Sequence, residues 1–329
     1  DLPPTGPAND GEVEDHAITI TAPTAAGLFG PQQIISDTAS GARSVYAGDL
    51  DGDGDVDVLS ASQQNNTIAW YQNSDGAGTY VATASSQIST SLTNVRSVIT
   101  ADLDGDGHLD VVSASSNKIE WYANDGSGAA TAFGAGQLVA TALDARDLFA
   151  ADMDGDGDLD LVSASSTNNS TSGAYAALRL NWYENDGSGV FGTVHVVDST
   201  NYSGTSVVAA DLDLDGDMDL VTAAAYSNGR IHWYEKGAAG AYTKRVIASD
   251  QTRGASSVVA ADINNDGYLD VLTASSTDDK IAWHLNNGDK TFAAQQVIST
   301  ADGASDVYAS DVDGDGDLDV LATSAHDGR

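Results

Sequence analysis

The chain has 329 residues, of which 49 are acidic and 13 basic, for a formal net charge of −36. A surface this negative repels phosphate and offers too few Lys and Arg to displace counterions, which argues against nucleic acid or anionic membrane as a partner. Hydrophobic residues reach 41%, enough for a sizeable core; there is no run of about 18 apolar residues to insert in a membrane, and no cysteine for disulfides, thiol chemistry or Cys-based zinc.

At the N-terminus all five prolines fall at Pro3, Pro4, Pro7, Pro23 and Pro31. That shift in composition divides the chain into residues 1–16, a linker or the end of a preceding domain, and residues 17–329, one repeat domain. Residues 18–36 (Ile18-Thr19-Ile20, then Gly27-Leu28-Phe29-Gly30 and Gln33-Ile34-Ile35) align with the second half of a repeat that begins in earnest at Asp49.

The first full copy opens on the short apolar strand Ser44-Val45-Tyr46-Ala47-Gly48 and turns through Asp49-Leu50-Asp51-Gly52-Asp53-Gly54-Asp55-Val56-Asp57. A β-branched run, Val58-Leu59-Ser60-Ala61, follows, and then a strand carrying Trp in Ile68-Ala69-Trp70-Tyr71. Later copies place the acidic loop at Asp102, Asp152, Asp211, Asp262 and Asp311, a period of roughly 50 residues that fits a propeller blade better than a helical repeat. Asp-Gly turns such as Asn124-Asp125-Gly126 lead to a fourth strand such as Val194-His195-Val196-Val197. The residues just before each loop are small, as an innermost strand near a crowded axis requires. The last copy, Ser305 to Ser324, is only a first half. The expected fold is therefore all-β, a β-propeller of four-stranded blades. Six blades are favoured, with the N- and C-terminal segments sharing one blade; a seven-bladed ring is the alternative.

The loops carry the chemistry. Positions 1, 3, 5, 7 and 9 are Asp49, Asp51, Asp53, Asp55 and Asp57 in the first; Asp102, Asp104, Asp106, His108 and Asp110 in the second; and Asp152, Asp154, Asp156, Asp158 and Asp160 in the third. They are Asp211, Asp213, Asp215, Asp217 and Asp219 in the fourth; Asp262, Asn264, Asp266, Tyr268 and Asp270 in the fifth; and Asp311, Asp313, Asp315, Asp317 and Asp319 in the sixth. Alternate side chains of a tight loop converge. Position 6 is Gly, position 7 needs to supply only its carbonyl, and hard oxygen donors without His or Cys ligands select Ca²⁺. One ion per loop, about six in all, is the expectation. Within one loop each pair of carboxylates roughly 6–8 Å apart repels by about 0.5 kcal/mol even in water, so a dication relieves real strain. The fifth loop, with Asn264 and Asn265, carries fewer charges and is expected to bind more weakly.

These loops, each followed by Leu-Asp-Val/Leu-Val or a close variant, resemble the FG-GAP/VCBS repeat family of calcium-loop β-propellers, which includes the integrin α-subunit head. The resemblance covers residues 18–324. It implies Ca²⁺ in each loop, an extracellular setting (secreted or on the cell surface) and roles in adhesion or ligand binding. Separately, Gly11-Glu12-Val13-Glu14-Asp15-His16 is similar to the Gly-Glu-Val-Glu-Asp-Tyr end of a GEVED-type bacterial surface domain, which implies neighbouring domains in a longer polypeptide.

Three weaker signals complete the reading. Trp70, Trp121, Trp182, Trp233 and Trp283 occupy one strand of successive repeats, which suits inter-blade packing more than stacking on sugar. Arg43, Arg96 and Arg146 lie six residues before their loops in three consecutive repeats, where they could receive a carboxylate or sulfate or pair with nearby aspartates. No nucleophile motif or phosphate loop is present and the histidines share no repeat position, so no catalytic residue is assigned. The expected function is a non-catalytic, calcium-stabilised extracellular binding or adhesion module for a protein or glycan ligand. The alternative is a lectin or the accessory domain of a polysaccharide-processing enzyme.

Overall fold

The structure, a computed structural model, describes residues 33–81, 87–129, 132–141, 144–169, 174–199, 204–224, 229–248 and 252–326. The GEVED-like segment and most of residues 18–36 lie outside them. Among the described residues there are strands and turns and no helix. Among the described residues no helix is long and apolar enough to cross a membrane.

The first blade contains β1 (Ala42–Gly48), β2 (Asp57–Ser62) and β3 (Thr67–Asn73), with its outer strand in two pieces, β4 (Tyr80–Val81) and β5 (Gln87–Ser89), that both pair with β3. The second is β6 (Ser97–Ala101), β7 (Asp110–Ala114), β8 (Ile119–Tyr122) and β9 (Gln137–Ala140). The third is β10 (Ala145–Ala151), β11 (Asp160–Asn169), β12 (Ala174–Asn185) and β13 (Phe191–Asp198). The fourth comprises β14 (Gly204–Ala210), β15 (Asp219–Ala224), β16 (Arg230–Lys236) and β17 (Tyr242–Ala248). The fifth comprises β18 (Ala255–Ala261), β19 (Asp270–Ser275), β20 (Lys280–His284) and β21 (Gln296–Thr300), and a two-stranded sheet of β22 (Ala304–Ser310) and β23 (Asp319–Ser324) follows.

Each sheet is an antiparallel meander in chain order, and the innermost strands β1, β6, β10, β14, β18 and β22 pack side by side in that same order. This is an all-β propeller of four-stranded blades. Five blades are complete among the described residues, and the segment expected to complete a sixth falls mostly outside them. The small residues before each loop are required by register: Gly48 pairs with Asp57, Ala101 with Asp110 and Ala210 with Asp219, so the loop closes between the first and second strands.

A bulge recurs in the innermost strands, skipping Arg43, Arg146, Thr205, Ser256 and Ser305. A bulge re-aims one side chain. In the later blades that side chain reaches forward: Thr205 Oγ1 donates to the Ala255 carbonyl at 2.7 Å and Ser256 Oγ to the Ala304 carbonyl at 3.0 Å.

The core is a series of layers between blades rather than one cluster. Leu59, Ile68 and Trp70 of the first blade meet Val98 and Val111 of the second, and Trp121 meets Leu148 and Leu161 of the third. Four of the five tryptophans are buried, Trp70, Trp121, Trp182 and Trp233 each being 6% exposed or less, and Trp283 is partly buried against the fifth core layer. Trp70 meets Phe133 edge-on at 5.6 Å and Trp233 meets Phe292 at 6.0 Å, each Phe belonging to the outer part of the next blade. The four buried tryptophans are an inter-blade packing device and offer no exposed platform for sugar.

Candidate metal centre

Each loop is shaped by its own carboxylates. Asp49 accepts from the backbone N–H of Gly52 at 2.8 Å and Gly54 at 3.0 Å, and Asp152 and Asp311 do the same in the third and sixth loops. The position-5 carboxylate accepts from the position-7 N–H, as Asp53 does from Asp55 and Asp106 from His108. Position 4 takes a left-handed conformation whether it is Gly52 (φ 74°) or a larger residue, Leu214 (φ 60°) or Asn265 (φ 58°). Asn tolerates that region because its short side chain bonds locally; Leu does not, and the loop must hold it there.

The position-9 aspartate is the anchor. Asp57, Asp110, Asp160, Asp219 and Asp270 are fully buried. Asp110 accepts from the N–H of Leu103 at 3.0 Å and of Asn124 at 2.8 Å, which ties the loop to the end of β8. The same pair of bonds recurs at Asp57, Asp160 and Asp219. The indoles of Trp70 and Trp233 add a third donor at 3.0 and 2.9 Å. Burial outweighs these bonds and pushes the carboxyl up, to about 6 at Asp110 and Asp160 and about 7 at Asp219. Burial, followed by repulsion from neighbouring aspartates, also raises Asp104, Asp154 and Asp313.

The carboxylates converge. Oxygens of Asp49, Asp51 and Asp53 lie within 4.8 Å of one another, as do those of Asp102, Asp104 and Asp110, of Asp152, Asp154 and Asp160, of Asp211, Asp213 and Asp215, and of Asp311, Asp313 and Asp315. Asp104 Oδ1 is buried with no hydrogen-bond partner. An all-oxygen donor set with raised, mutually repelling carboxyls fits a hard dication. In the fifth loop Asn264 donates to Asp266 at 2.8 Å, meeting part of that charge with an amide. The position-7 side chains point elsewhere: His108 and Tyr268 lie over Gly126 and Gly288, where an added Cβ would come within 2.2 and 2.5 Å of them.

The arginines are paired. Arg96 and Arg146 share Asp144, at 2.8 and 3.3 Å, and Arg43 donates to Gln63 Oε1 at 2.7 Å.

A repeated residue that sequence reading passed over sits three places after each Trp. Asn124 Nδ2 donates to the Leu50 carbonyl of the preceding loop at 2.7 Å and to Leu109 of its own at 2.9 Å. Asn185 bridges Leu103 and Leu159, and Asn286 bridges Leu212 and Leu269. In the fourth blade the residue is Lys236, whose Nζ donates to the Met153 carbonyl. The Trp-x-x-Asn spacing was visible; its role required knowing that adjacent loops sit side by side.

Beside Lys236 a cleft of about 420 Å³ opens between the third and fourth blades, lined by Trp182, Glu184, His195, Asp217 and Tyr242 among others. His195 stacks on Trp182 at 3.7 Å and its Nε2 lies 2.9 Å from Glu184, while Tyr242 Oη is buried without a partner.

Blades of this form, each closed by an aspartate-lined turn, define a repeat propeller. Residues 49–113, 102–163, 164–222, 215–273 and 262–322 each match the FG-GAP-like repeat, and the chain belongs to that family. No curated protein matches it. Among solved structures, a lectin of Agrocybe aegerita that recognises non-reducing terminal N-acetylglucosamine is similar, with a TM-score of 0.53 and 18% identity over 85% of this chain and 70% of the lectin. The Photorhabdus luminescens Tc holotoxin pore gives 0.46 at 15% identity, over 88% of this chain and 14% of that one. At 18% identity the likeness to the lectin is one of fold.

Proposed function

We propose that the chain is a non-catalytic, calcium-stabilised extracellular binding or adhesion module whose loops each hold Ca²⁺ through the oxygens of positions 1, 3, 5 and 9 and the carbonyl of position 7. The observation that carries this reading is the recurrence of converging, repelling carboxylates at the same point of successive blades. A bound ion ties the first strand of a blade to the second and offsets the repulsion. Affinities of roughly 10⁻⁴–10⁻³ M suit an extracellular setting, where calcium is millimolar. Thermal unfolding in excess EDTA against millimolar CaCl₂ tests it: calcium should raise the melting temperature through preferential binding to the folded state. An unchanged melting temperature contradicts the role.

The cleft beside Trp182 favours glycan as the ligand. It combines carboxylates with the imidazole of His195 at the size of one or two sugar rings, and the similar lectin fold agrees with that reading. A glycan array probed with wild type and with Glu184→Ala checks it; binding indifferent to the substitution would place the ligand elsewhere.

A further inference from the structure

The fourth loop has the same five aspartates as the first, third and sixth, and composition alone expects it to bind calcium equally. It differs in what faces it. In the turn between the third and fourth strands of a blade, one position is a left-handed glycine: Gly78 (φ 82°), Gly128 (φ 63°), Gly189 (φ 75°) and Gly240 (φ 74°). In the fifth blade that position is Lys290, held at φ 66°. A left-handed backbone disfavours lysine, so something must retain it there.

The location explains it. An added Cβ at Gly128 would lie 3.2 Å from Asp51, position 3 of the preceding blade's loop. From the matching place in the fifth blade, Lys290 Nζ reaches Asp213, position 3 of the fourth loop, at 2.6 Å, and Glu235 at 2.5 Å. The Asp213 side chain is only 2% exposed, so the ammonium is its counter-ion. Lys236 Nζ lies a further 3.6 Å from Asp217 of the same loop.

We propose that Lys290 is a built-in cation for the fourth loop, which therefore stays ordered without a metal and takes up Ca²⁺ only by displacing the ammonium, at concentrations above those that fill the other five-aspartate loops. This rests on the calcium reading for its comparison between loops, but the role of the ammonium in the metal-free protein stands apart from it. The fifth blade is thereby latched to the fourth by charge.

Calcium titration calorimetry on wild type, Lys290→Gly and Lys290→Met tests the proposal, with melting temperatures taken in EDTA. Lys290→Gly, which restores the residue found in the other blades, should bind one more Ca²⁺ per chain in the range that fills the first and third loops. Lys290→Met keeps the strained backbone and removes the charge, so it should melt a few degrees lower in EDTA, with the loss recovered in calcium. Equal stoichiometry and affinity in wild type and Lys290→Gly overturn the proposal. If no variant binds calcium, the calcium reading fails on its own, and the EDTA melting of Lys290→Met decides the role of the ammonium: a drop supports it, no change refutes it.

Discussion

Asp147 shows how much a single carboxylate does in this molecule outside the loops. It lies on β10 and accepts from the Val207 N–H at 2.9 Å, the Leu148 N–H at 3.0 Å and the Ser97 hydroxyl at 3.3 Å, joining three innermost strands. Burial pushes it up to about 6, against the lowering effect of those bonds. A carboxyl raised in the folded state favours folding while protonated, and that contribution is lost as the pH rises through about 6. Stability should therefore fall between pH 5 and pH 7.5 by more in wild type than in Asp147→Asn, by about 1.5 kcal/mol at fixed calcium. Denaturant unfolding at the two pH values measures it; parallel pH dependences in the two proteins would show that the group titrates normally. In the sequence Asp147 shows only as a departure, shared with Asp306, from Ser44, Ser97, Ser206 and Ser257 at the same place; its role was not legible because Val207 and Ser97 reach it from other blades.

At the scale of the element, two joining devices besides apolar packing recur from blade to blade: hydroxyls on the bulge and the amide three residues after Trp. The Asn124 amide donates to two loop carbonyls, Leu50 of the preceding loop and Leu109 of its own. Asn124→Ala should cost about 1–3 kcal/mol, read as a shifted denaturation midpoint, and Asn124→Asp should cost more because a carboxylate would face two carbonyl oxygens. A midpoint unmoved by either variant would show that water replaces the amide at no cost. The strands and loops themselves were legible from the sequence, since Val58-Leu59-Ser60-Ala61 and Ile68-Ala69-Trp70-Tyr71 fall inside β2 and β3. The bulge was not. Arg43, Arg96 and Arg146 in three consecutive repeats, against Thr205, Ser256 and Ser305 in the next three, left both an anion ligand and pairing with nearby aspartates open. The register shows a position that hydroxyls use to reach the next blade and arginines use to pair with Asp144 or Gln63.

For the molecule as a whole, repetition made the architecture readable: a period of roughly 50 residues, four strand signals per period and buried tryptophans in register are one statement of a propeller. Contacts between blades were legible only where they repeat. Lys290 and Lys236 break the pattern of their positions, and their partners belong to loops far away in the chain, so their meaning emerges only from blade adjacency. The 27 loop acids dominate the charge of −36, and the proposed role of calcium is to stabilise so acidic a propeller. A crystal structure grown in millimolar CaCl₂, with anomalous difference density collected to locate the ions, tests this most directly. The account predicts peaks coordinated by Asp49, Asp51 and Asp53, by Asp102, Asp104 and Asp110, and by Asp152, Asp154 and Asp160; well-ordered loops without such peaks would contradict it.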